Sequence, residues 1–423
     1  MVAEENNFIE KYIKLRHKIQ KLSWDDETAQ WTVTIEDLAT GKILEDHCDI
    51  VINGGGILNK WKWPTGIEGL HDFKGKLMHS AQYNEGMDLK GKRVALIGAG
   101  SSAVQILPNI YNDVSEVYHW IRSKIWITAG FAQAFAGPDG ANFSYTEEQQ
   151  KMFEDSDKYK AYCKMIEGEL NQRFSFIING SSEQKAAREF SENEMKTLLA
   201  DRPELLEAIM PTDFFVACRR PTPGNGYLEA LRGPKVTAYT EQLQRITPTG
   251  FIDPEGKEHE VDVIICATGF DTSYNTPVPV IVNGVDKQAE WKKLQNPPSY
   301  LSLGYAGIPN MFVFGGAYCP SAHGSFFPLI DAYVSYVIQV IEKMQVENIR
   351  SVTPKMEPTR QFLRHANTFL KRTSWTGPCS SWFKGGTKDG TPAIYPGSRL
   401  HFLRMLEKPR FEDYEIMYAP PYP

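Results

Sequence analysis

Alternating apolar and polar positions mark the first part of the chain. Residues 22–53 alternate around turns at Asp25-Asp26 and Thr40-Gly41, which predicts a β-meander. The meander is expected to end in a buried strand at residues 48–52. Residues 8–21 fit either a short helix or an extended, partly paired segment. A glycine triplet follows the meander, but a Trp-Pro loop rather than a helix comes after it.

Further along, short apolar runs and amphipathic stretches predict strands and helices. The run KRVALI at residues 92–97 is typical of a strand buried on both faces, as in a parallel sheet. Further strands are predicted at 114–121, 235–239, 243–247, 261–266 and 310–315. Residues 144–211 are charged, amphipathic and poor in glycine, which predicts a helical insertion. A long helix is predicted at 326–344 from apolar residues at 329, 330, 333, 334, 337, 338, 340 and 341.

Composition limits the classes of function. The 423 residues, 42% of them hydrophobic and 23% charged, fit a globular protein of two or three domains. The net charge of −6 without long basic runs argues against nucleic acid as a partner. No stretch approaches the roughly 18 apolar residues of a membrane span. The N-terminus is unlike a secretory signal, and six scattered cysteines lack C-x-x-C pairs. We therefore expect a reducing, cytoplasmic location without a metal site or disulfides.

The segment VALIGAGSSAVQILPN at residues 94–109 carries the pattern G-x-G-x-x-A between a predicted strand and a predicted helix. This context is typical of a dinucleotide-binding turn, whereas an ordinary glycine turn is the alternative. Gly98 would form the tight turn, Gly100 would admit a pyrophosphate, and Ala103 would let the helix pack on the strand. The helix N-terminus would attract the phosphates. The predicted cofactor contacts are Gly98, Ala99, Gly100, Ser101, Ser102 and Ala103.

The end of the next predicted strand indicates which dinucleotide binds. An NAD site usually has an acidic residue there, but this chain has Arg122-Ser123-Lys124. A guanidinium suits a 2′-phosphate because its planar donors engage it bidentately. We therefore predict NADPH, with contacts from Arg122 and Ser123. A solvated basic turn is the alternative.

Three further motifs occur in a telling order. Residues 73–83 have the form F-x-G-x-x-x-H-x-x-x-Y, residues 218–221 read CRRP, and residues 262–270 read DVIICATGF. With the glycine turn, they resemble the NADPH-dependent flavoprotein monooxygenases, and within them the Baeyer–Villiger branch of fungal secondary metabolism. The C-terminal stretch SWTGPCSSWFKGG at 374–386 adds to this likeness. Tyr83 departs from the Baeyer–Villiger pattern, which ends in Trp.

This resemblance implies an α/β fold of two interleaved Rossmann-like domains. Residues 1–83 would be a remnant of the first half of the FAD domain with a linker. Residues 84–270 would form the NADP-binding domain with the helical insertion, and 271–423 the second part of the FAD domain with a C-terminal extension. The family's first FAD βαβ unit and its glycine fingerprint are missing from the sequence. A truncated enzyme, which we favour, and a genuine short protein both fit.

The resemblance also implies the chemistry. NADPH reduces FAD, and one oxygen atom of O₂ is inserted into a ketone, giving an ester or lactone; the ketone would be derived from a polyketide or terpenoid. Arg220 matches the family's catalytic arginine, and Arg219 matches a position that binds the 2′-phosphate. Two surface arginines before a proline are the alternative. An N- or S-hydroxylating monooxygenase and a non-catalytic NADP-binding remnant are the competing functions.

Three more residues are expected near the cofactors because of their motifs. His79, Thr268 and Gly269 lie where the family's chain passes between the domains, and we favour a packed hinge role for His79 over that of a general base. The segment SAHGS at 321–325 could direct a helix N-terminus at the flavin. Simple capping by Ser325 explains that segment equally well.

Overall fold

A computed structural model describes residues 2–130, 132–137, 140–294, 296–322 and 324–420. The helices of these residues are α1 Val2–Glu5, α2 Phe8–Tyr12, α3 Ser101–Ile110, α4 Glu147–Phe153, α5 Ser156–Gln172, α6 Ser182–Leu198, α7 Pro203–Ile209, α8 Tyr227–Arg232, α9 Lys287–Trp291, α10 Phe327–Val346, α11 Met356–Leu370 and α12 Arg399–Met405. Short 3₁₀ turns connect several of them.

The strands are short and belong to several sheets. They are β1 His17–Asp25, β2 Gln30–Asp37, β3 Ile43–Cys48, β4 Val51–Asn53, β5 Lys76–His79, β6 Arg93–Ile97, β7 Glu116–Trp120, β8 Ile127–Thr128, β9 Thr222–Pro223, β10 Val236–Tyr239, β11 Arg245–Ile246, β12 Gly250–Ile252, β13 Glu258–Glu260, β14 Val263–Cys266, β15 Val280–Val282, β16 Val285–Asp286, β17 Ser299–Tyr300, β18 Gly304–Tyr305, β19 Met311–Val313, β20 Ile349–Pro354 and β21 Tyr414–Tyr418. The strands predicted at 92–97, 114–121, 235–239, 243–247, 261–266 and 310–315 are confirmed as β6, β7, β10, β11, β14 and β19.

A five-stranded parallel sheet forms one half of the protein. Its order is β10-β7-β6-β14-β5, and each neighbouring pair is parallel. Val94 of β6 is opposite Val117 on one side and Val263 on the other, and all three are buried. β-branched residues with both faces covered explain the continuous apolar runs of these strands. β5, which is the first of these strands in the sequence but lies at the edge of the sheet, comes before residue 84, where the NADP domain is predicted to begin.

The helical insertion predicted at 144–211 is confirmed as α4 to α7. Local capping explains where these helices begin: Thr146 forms a capping box with Gln149, and Asp155 and Ser181 cap the next two helices. Met195 and Ile209 are fully buried in the same core cluster as the parallel sheet. The insertion therefore packs on that sheet.

A second, four-stranded sheet has the order β17-β18-β19-β4. Met311 to Val313 of β19 lie parallel to Val51 to Asn53 of β4. This sheet therefore joins a segment that precedes the parallel sheet in sequence to one that follows it, as expected of an interleaved fold. The predicted meander is confirmed as β1, β2 and β3, and β15 extends its sheet by pairing in parallel with β1.

Three expectations about segments outside the parallel sheet require correction. The buried strand predicted at 48–52 is divided between β3 and β4, and Ile52 is 47% exposed, because it lies on the opposite face of β4 from Val51, whose side chain packs against a core cluster. Residues 8–21 contain both predicted forms, a short helix and the start of β1. In α10, Val334 and Ile338 are exposed although they fit the apolar stripe.

Candidate functional site

The glycine turn after β6 is built as a dinucleotide-binding turn requires. Gly98 has φ of 109°, and a Cβ there would lie 2.4 Å from the carbonyl oxygen of Ala267. The turn is fixed because the Gly98 N–H donates to the carbonyl of Trp120 at 3.2 Å. Only glycine fits this left-handed position against the neighbouring strand end.

The other two small residues of the motif differ in their surroundings: Gly100 is open on its Cβ side, and Ala103 is buried. Gly100 is the N-cap of α3, and a Cβ there would meet no atom within 4 Å. Packing therefore does not demand glycine at this position, which fits a backbone kept bare for a ligand. Ala103 is fully buried in the core cluster of the sheet, where a small residue lets α3 approach β6.

A cavity of about 530 Å³, here called the first cavity, opens at the carboxyl end of the parallel sheet. It brings together ten predicted site residues: Gly98, Ala99, Gly100, Ser101, Arg122, Ser123, Arg219, Arg220, Thr268 and Gly269. Ser102 is exposed on α3 outside the lining, whereas Ala103 and His79 are buried. Ligands of open α/β sheets usually bind at this edge.

Arg122, Arg219, Arg220 and Lys62 bring positive charge to the lining of the first cavity, which also includes Glu241. Arg122 follows β7 and is exposed, whereas Arg219 is half-buried, and its guanidinium donates from Nε to the Ser380 carbonyl at 2.7 Å and from Nη1 to the Lys124 carbonyl at 3.3 Å. Burial lowers the pKa of Arg219, and the nearby charge of Arg122 lowers it further. Within the described ranges neither arginine forms an ion pair with a carboxylate. Two adjacent guanidinium groups without an acidic partner suit an anion such as a phosphate.

The segment that carries Arg220 is fastened to the glycine turn. Arg220 is exposed to the first cavity, and its carbonyl accepts a hydrogen bond from the Thr222 hydroxyl at 3.4 Å. Thr222 and Ser101, at the start of α3, lie in hydrogen-bond contact through their hydroxyls at 3.2 Å. Thr222 also pairs with Ile127 where β9 meets β8. Three short connections therefore fix the arginine segment relative to α3.

His79 packs between aromatic rings instead of lining a cavity. Its ring stacks on Trp61 with centroids 4.7 Å apart, and Trp63 and Phe270 meet it edge-on. Its Nδ1 accepts from the Ala81 N–H at 3.1 Å, and burial lowers its pKa. This placement is that of a packed, neutral histidine, which is the role favoured from the sequence.

Thr268 and Gly269 connect the same aromatic loop to the end of β14. The Thr268 hydroxyl donates to the Lys62 carbonyl at 3.2 Å, and the Lys62 N–H donates to the Gly269 carbonyl at 3.4 Å. Gly269 has φ of 84°, which favours glycine. Residues 62–65 thereby form one wall of the first cavity.

A second cavity of about 220 Å³ lies beside the four-stranded sheet. Gly55 and Gly56 follow β4, and Gly315 and Gly316 follow β19, so two bare backbone turns leave adjacent parallel strands here. Asp271 and Tyr274, from the segment after β14, complete part of the lining. The segment at 321–325 includes His323, which lies outside the described residues.

A disulfide joins Cys218 to Cys379, with 6.1 Å between their Cα atoms. The expectation of no disulfides is therefore wrong. The 161 residues between the two cysteines leave no local spacing that could have revealed the pair. The sequence also missed Ser380, Ser381 and Trp382, which line the first cavity beside the arginines. Their signal was the stretch SWTGPCSSWFKGG at 374–386, whose likeness to the family did not show that it lies beside the arginines. No group of three or more possible metal ligands occurs in the described part of the chain.

The glycine turn with its neighbouring arginines and the second glycine-lined cavity are typical of a dinucleotide-binding α/β fold with two regions suited to cofactors. A family model described as "Flavin-binding monooxygenase-like" matches residues 1–197. The chain is 38% identical over 417 residues to "FAD-binding monooxygenase tazF" of Aspergillus terreus, which covers 97% of this chain and 73% of that protein. It is 34% identical to "FAD-binding monooxygenase stcW" of Emericella nidulans, over 97% of this chain and 68% of the relative. The protein belongs to the flavin-dependent monooxygenase family.

A more distant relative agrees with this assignment, and two solved structures share the fold. A "Baeyer-Villiger monooxygenase" of Pseudomonas aeruginosa is 28% identical over 96% of this chain and 74% of its own length. A closed crystal structure of cyclohexanone monooxygenase matches 99% of this chain and 84% of its own with a TM-score of 0.80 at 20% identity. An oxidised steroid monooxygenase bound to NADP matches 99% of this chain and 83% of its own with a TM-score of 0.78 at 20% identity. The predicted fold class, two interleaved Rossmann-type regions, is confirmed. No described helix is long and apolar enough to cross a membrane.

Proposed function

We propose that the protein is an FAD- and NADPH-dependent Baeyer–Villiger monooxygenase that inserts one oxygen atom of O₂ into a ketone. The first cavity carries this proposal, because a glycine turn, a helix N-terminus and two arginines without acidic partners meet there. Together they suit the pyrophosphate and 2′-phosphate of NADPH. A ketone derived from a polyketide or terpenoid is the substrate class that we propose. The cytoplasmic location stays a prediction.

The second cavity is the place that suits FAD. Gly56, after β4, has no atom within 4 Å of an added Cβ, so its backbone leaves room for close approach of a large planar group, and the Asp271 carboxylate supplies a polar edge. When bound, FAD would supply the hydride acceptance and oxygen activation that amino acid side chains lack. The chain itself would then bind, orient and exclude water around the reacting groups.

Arg220 would supply the fixed positive charge that the oxygen transfer needs. Its guanidinium is permanently charged and exposed in the first cavity, and its backbone is fastened to α3 through Thr222. A preorganised charge of this kind stabilises negative charge that develops on oxygen. Arg219, whose donors are directed at two backbone carbonyls, would position the segment and face the 2′-phosphate.

The decisive experiment follows labelled oxygen in flavin-loaded protein. With ¹⁸O₂, NADPH and a ketone, mass spectrometry should detect an ester or lactone that carries one labelled atom. Arg220→Ala should lower product formation by about 10²–10³-fold, the cost of one preorganised charge, while NADPH oxidation continues and releases hydrogen peroxide. Arg220→Lys should also fail largely, because an ammonium lacks the planar fork.

A matched control separates the role of Arg220 from a general loss of charge. Arg404→Ala removes an exposed arginine of α12 that pairs with Glu407, and it should leave product formation unchanged. Full product yield from Arg220→Ala would place the catalytic charge elsewhere. Labelled product from sulfides or amines, but never from ketones, would contradict the Baeyer–Villiger assignment.

A further inference from the structure

The disulfide lies directly beside the arginines of the first cavity. Cys218 immediately precedes Arg219, and Cys379 immediately precedes Ser380, whose carbonyl accepts the 2.7 Å hydrogen bond from Arg219 Nε. The covalent bond and the hydrogen bond therefore join the same two segments one residue apart. Residues 377–388, here called the clasp loop, also bring Ser380 to Trp382 into the lining of the first cavity.

The clasp loop holds its own shape through a buried cation. Lys384 is 3% exposed, and its ammonium donates to the Gly377 carbonyl at 2.7 Å and to the Lys388 carbonyl at 2.6 Å. The Ser380 hydroxyl donates to the Gly386 carbonyl at 2.6 Å. Because these bonds lie within the loop, they order it without fastening it to the arginine segment.

The sulfur atoms are packed tightly where the two segments touch. Cys218 and Cys379 are 0% and 2% exposed, and a Cβ on Gly377 would approach Cys218 Sγ to 3.1 Å. Two thiols at this contact would lack the bond that draws the segments together. Because the sulfur atoms are buried, a dithiol can reach them only when the clasp loop opens locally, and the packing of Phe383 with Ala217 in one core cluster opposes that opening.

From this arrangement we infer that the Cys218–Cys379 disulfide is a thiol-reversible clasp that holds Arg219 in its NADPH-binding position. Reduction by a dithiol breaks the Sγ–Sγ bond through a mixed disulfide, leaves two protein thiols and converts the dithiol to its disulfide. The clasp loop can then move away, and Arg219 loses the Ser380 carbonyl that orients it. The inference rests on the proposed NADPH site. By linkage, bound NADPH should in turn shift the thiol–disulfide equilibrium towards the disulfide.

The experiment compares the oxidised and dithiol-reduced chain. Under denaturing conditions the oxidised protein should titrate four thiols, the number of free cysteines, and the reduced protein all six. Reduction should weaken NADPH binding about tenfold, the loss expected from a hydrogen bond to a charged group, and leave NADH binding nearly unchanged. Circular dichroism should confirm that the reduced chain remains folded.

Two variants make the result specific. Cys379→Ser should bind NADPH as the reduced wild type does and should not respond to dithiol. Cys163→Ser, which removes an exposed free thiol, should respond as the wild type does. Equal NADPH affinity in both thiol states, or six titratable thiols after treatment with oxidised glutathione, would overturn the clasp. If the oxidised chain titrates four thiols but neither the oxidised nor the reduced chain binds NADPH, the cofactor site itself is contradicted, so the two failures are distinguishable.

Discussion

The parallel sheet and the four-stranded sheet each border a cavity, but the side chains of their strands are buried to different extents. In the parallel sheet, Val94, Leu96 and Ile265 are completely buried, because helices cover one face and the β11–β13 sheet adjoins the core of the other. In the four-stranded sheet, β19 is buried, but Ile52 on the edge strand β4 is 47% exposed. In both sheets, nevertheless, glycine turns follow the carboxyl ends of strands and line a cavity.

This difference predicts that substitutions cost more stability in the enclosed strands of the parallel sheet than on the edge strand β4. Side chains of a fully enclosed strand are closely packed, so a change in their volume is costly. The same packing fixes the position of the turn that follows the strand. An edge strand is held on one side only, so its residues contribute less burial. Substitutions at matched positions of the two sheets should therefore have very different effects.

The largest difference is expected between two apolar residues. Leu96→Ala, in the centre of the parallel sheet, should lower the free energy of unfolding by about 2–5 kcal/mol, because it leaves a cavity in a closed core. Ile52→Ala should cost less than about 1 kcal/mol, since half the side chain is already in water. Urea unfolding followed by circular dichroism measures both, and equal losses would refute the comparison.

The glycine turns should differ as strongly. Gly98→Ala combines a forbidden backbone conformation with a clash against the Ala267 carbonyl, which together should cost about 2–5 kcal/mol. Gly54→Ala, in the turn after β4, meets no atom within 4 Å and should be nearly neutral. Thermal unfolding distinguishes them. A Gly98→Ala protein with unchanged melting would mean that this turn is not constrained by its neighbour.

A buried histidine makes the parallel sheet sensitive to acid. His119 is fully buried between the Leu96 carbonyl and the Tyr227 hydroxyl, and burial lowers its pKa from 6.5 to about 4. Between about pH 6.5 and about pH 4, His119 is therefore protonated in the unfolded chain but neutral in the folded chain. The free energy of unfolding consequently falls as the pH drops through this range. The loss should reach about 3 kcal/mol, since each pKa unit corresponds to about 1.4 kcal/mol.

The pH dependence of unfolding identifies the source. His119→Gln should flatten the decline of stability between pH 6.5 and 4, even if the variant is less stable overall. His47→Gln, on the exposed strand β3, should leave the slope unchanged. An unchanged slope in His119→Gln would show that the acid sensitivity comes from another group.

The sequence predicted the parallel sheet well because its signals are local. A few consecutive residues are enough to recognise each apolar strand, the Gly98 turn and the basic end of β7. The helical insertion likewise has its own capping residues. The edge position of β4 could not be predicted, since it depends on which strands are neighbours. The contacts of Cys218 and Arg219 with residues 379 and 380 likewise arise only in three dimensions.

The central claim is that the first cavity recognises the 2′-phosphate of NADPH through its arginines, and Arg122 tests it most directly. The measurement is the dissociation constant of NADPH and of NADH for the wild type and Arg122→Ala, with Arg404→Ala as the control. NADPH binding should weaken by about 1.5–3 kcal/mol, the range for hydrogen bonds to charged groups, while NADH binding barely changes. Equal weakening of both cofactors, or no preference of the wild type for NADPH, would contradict the account.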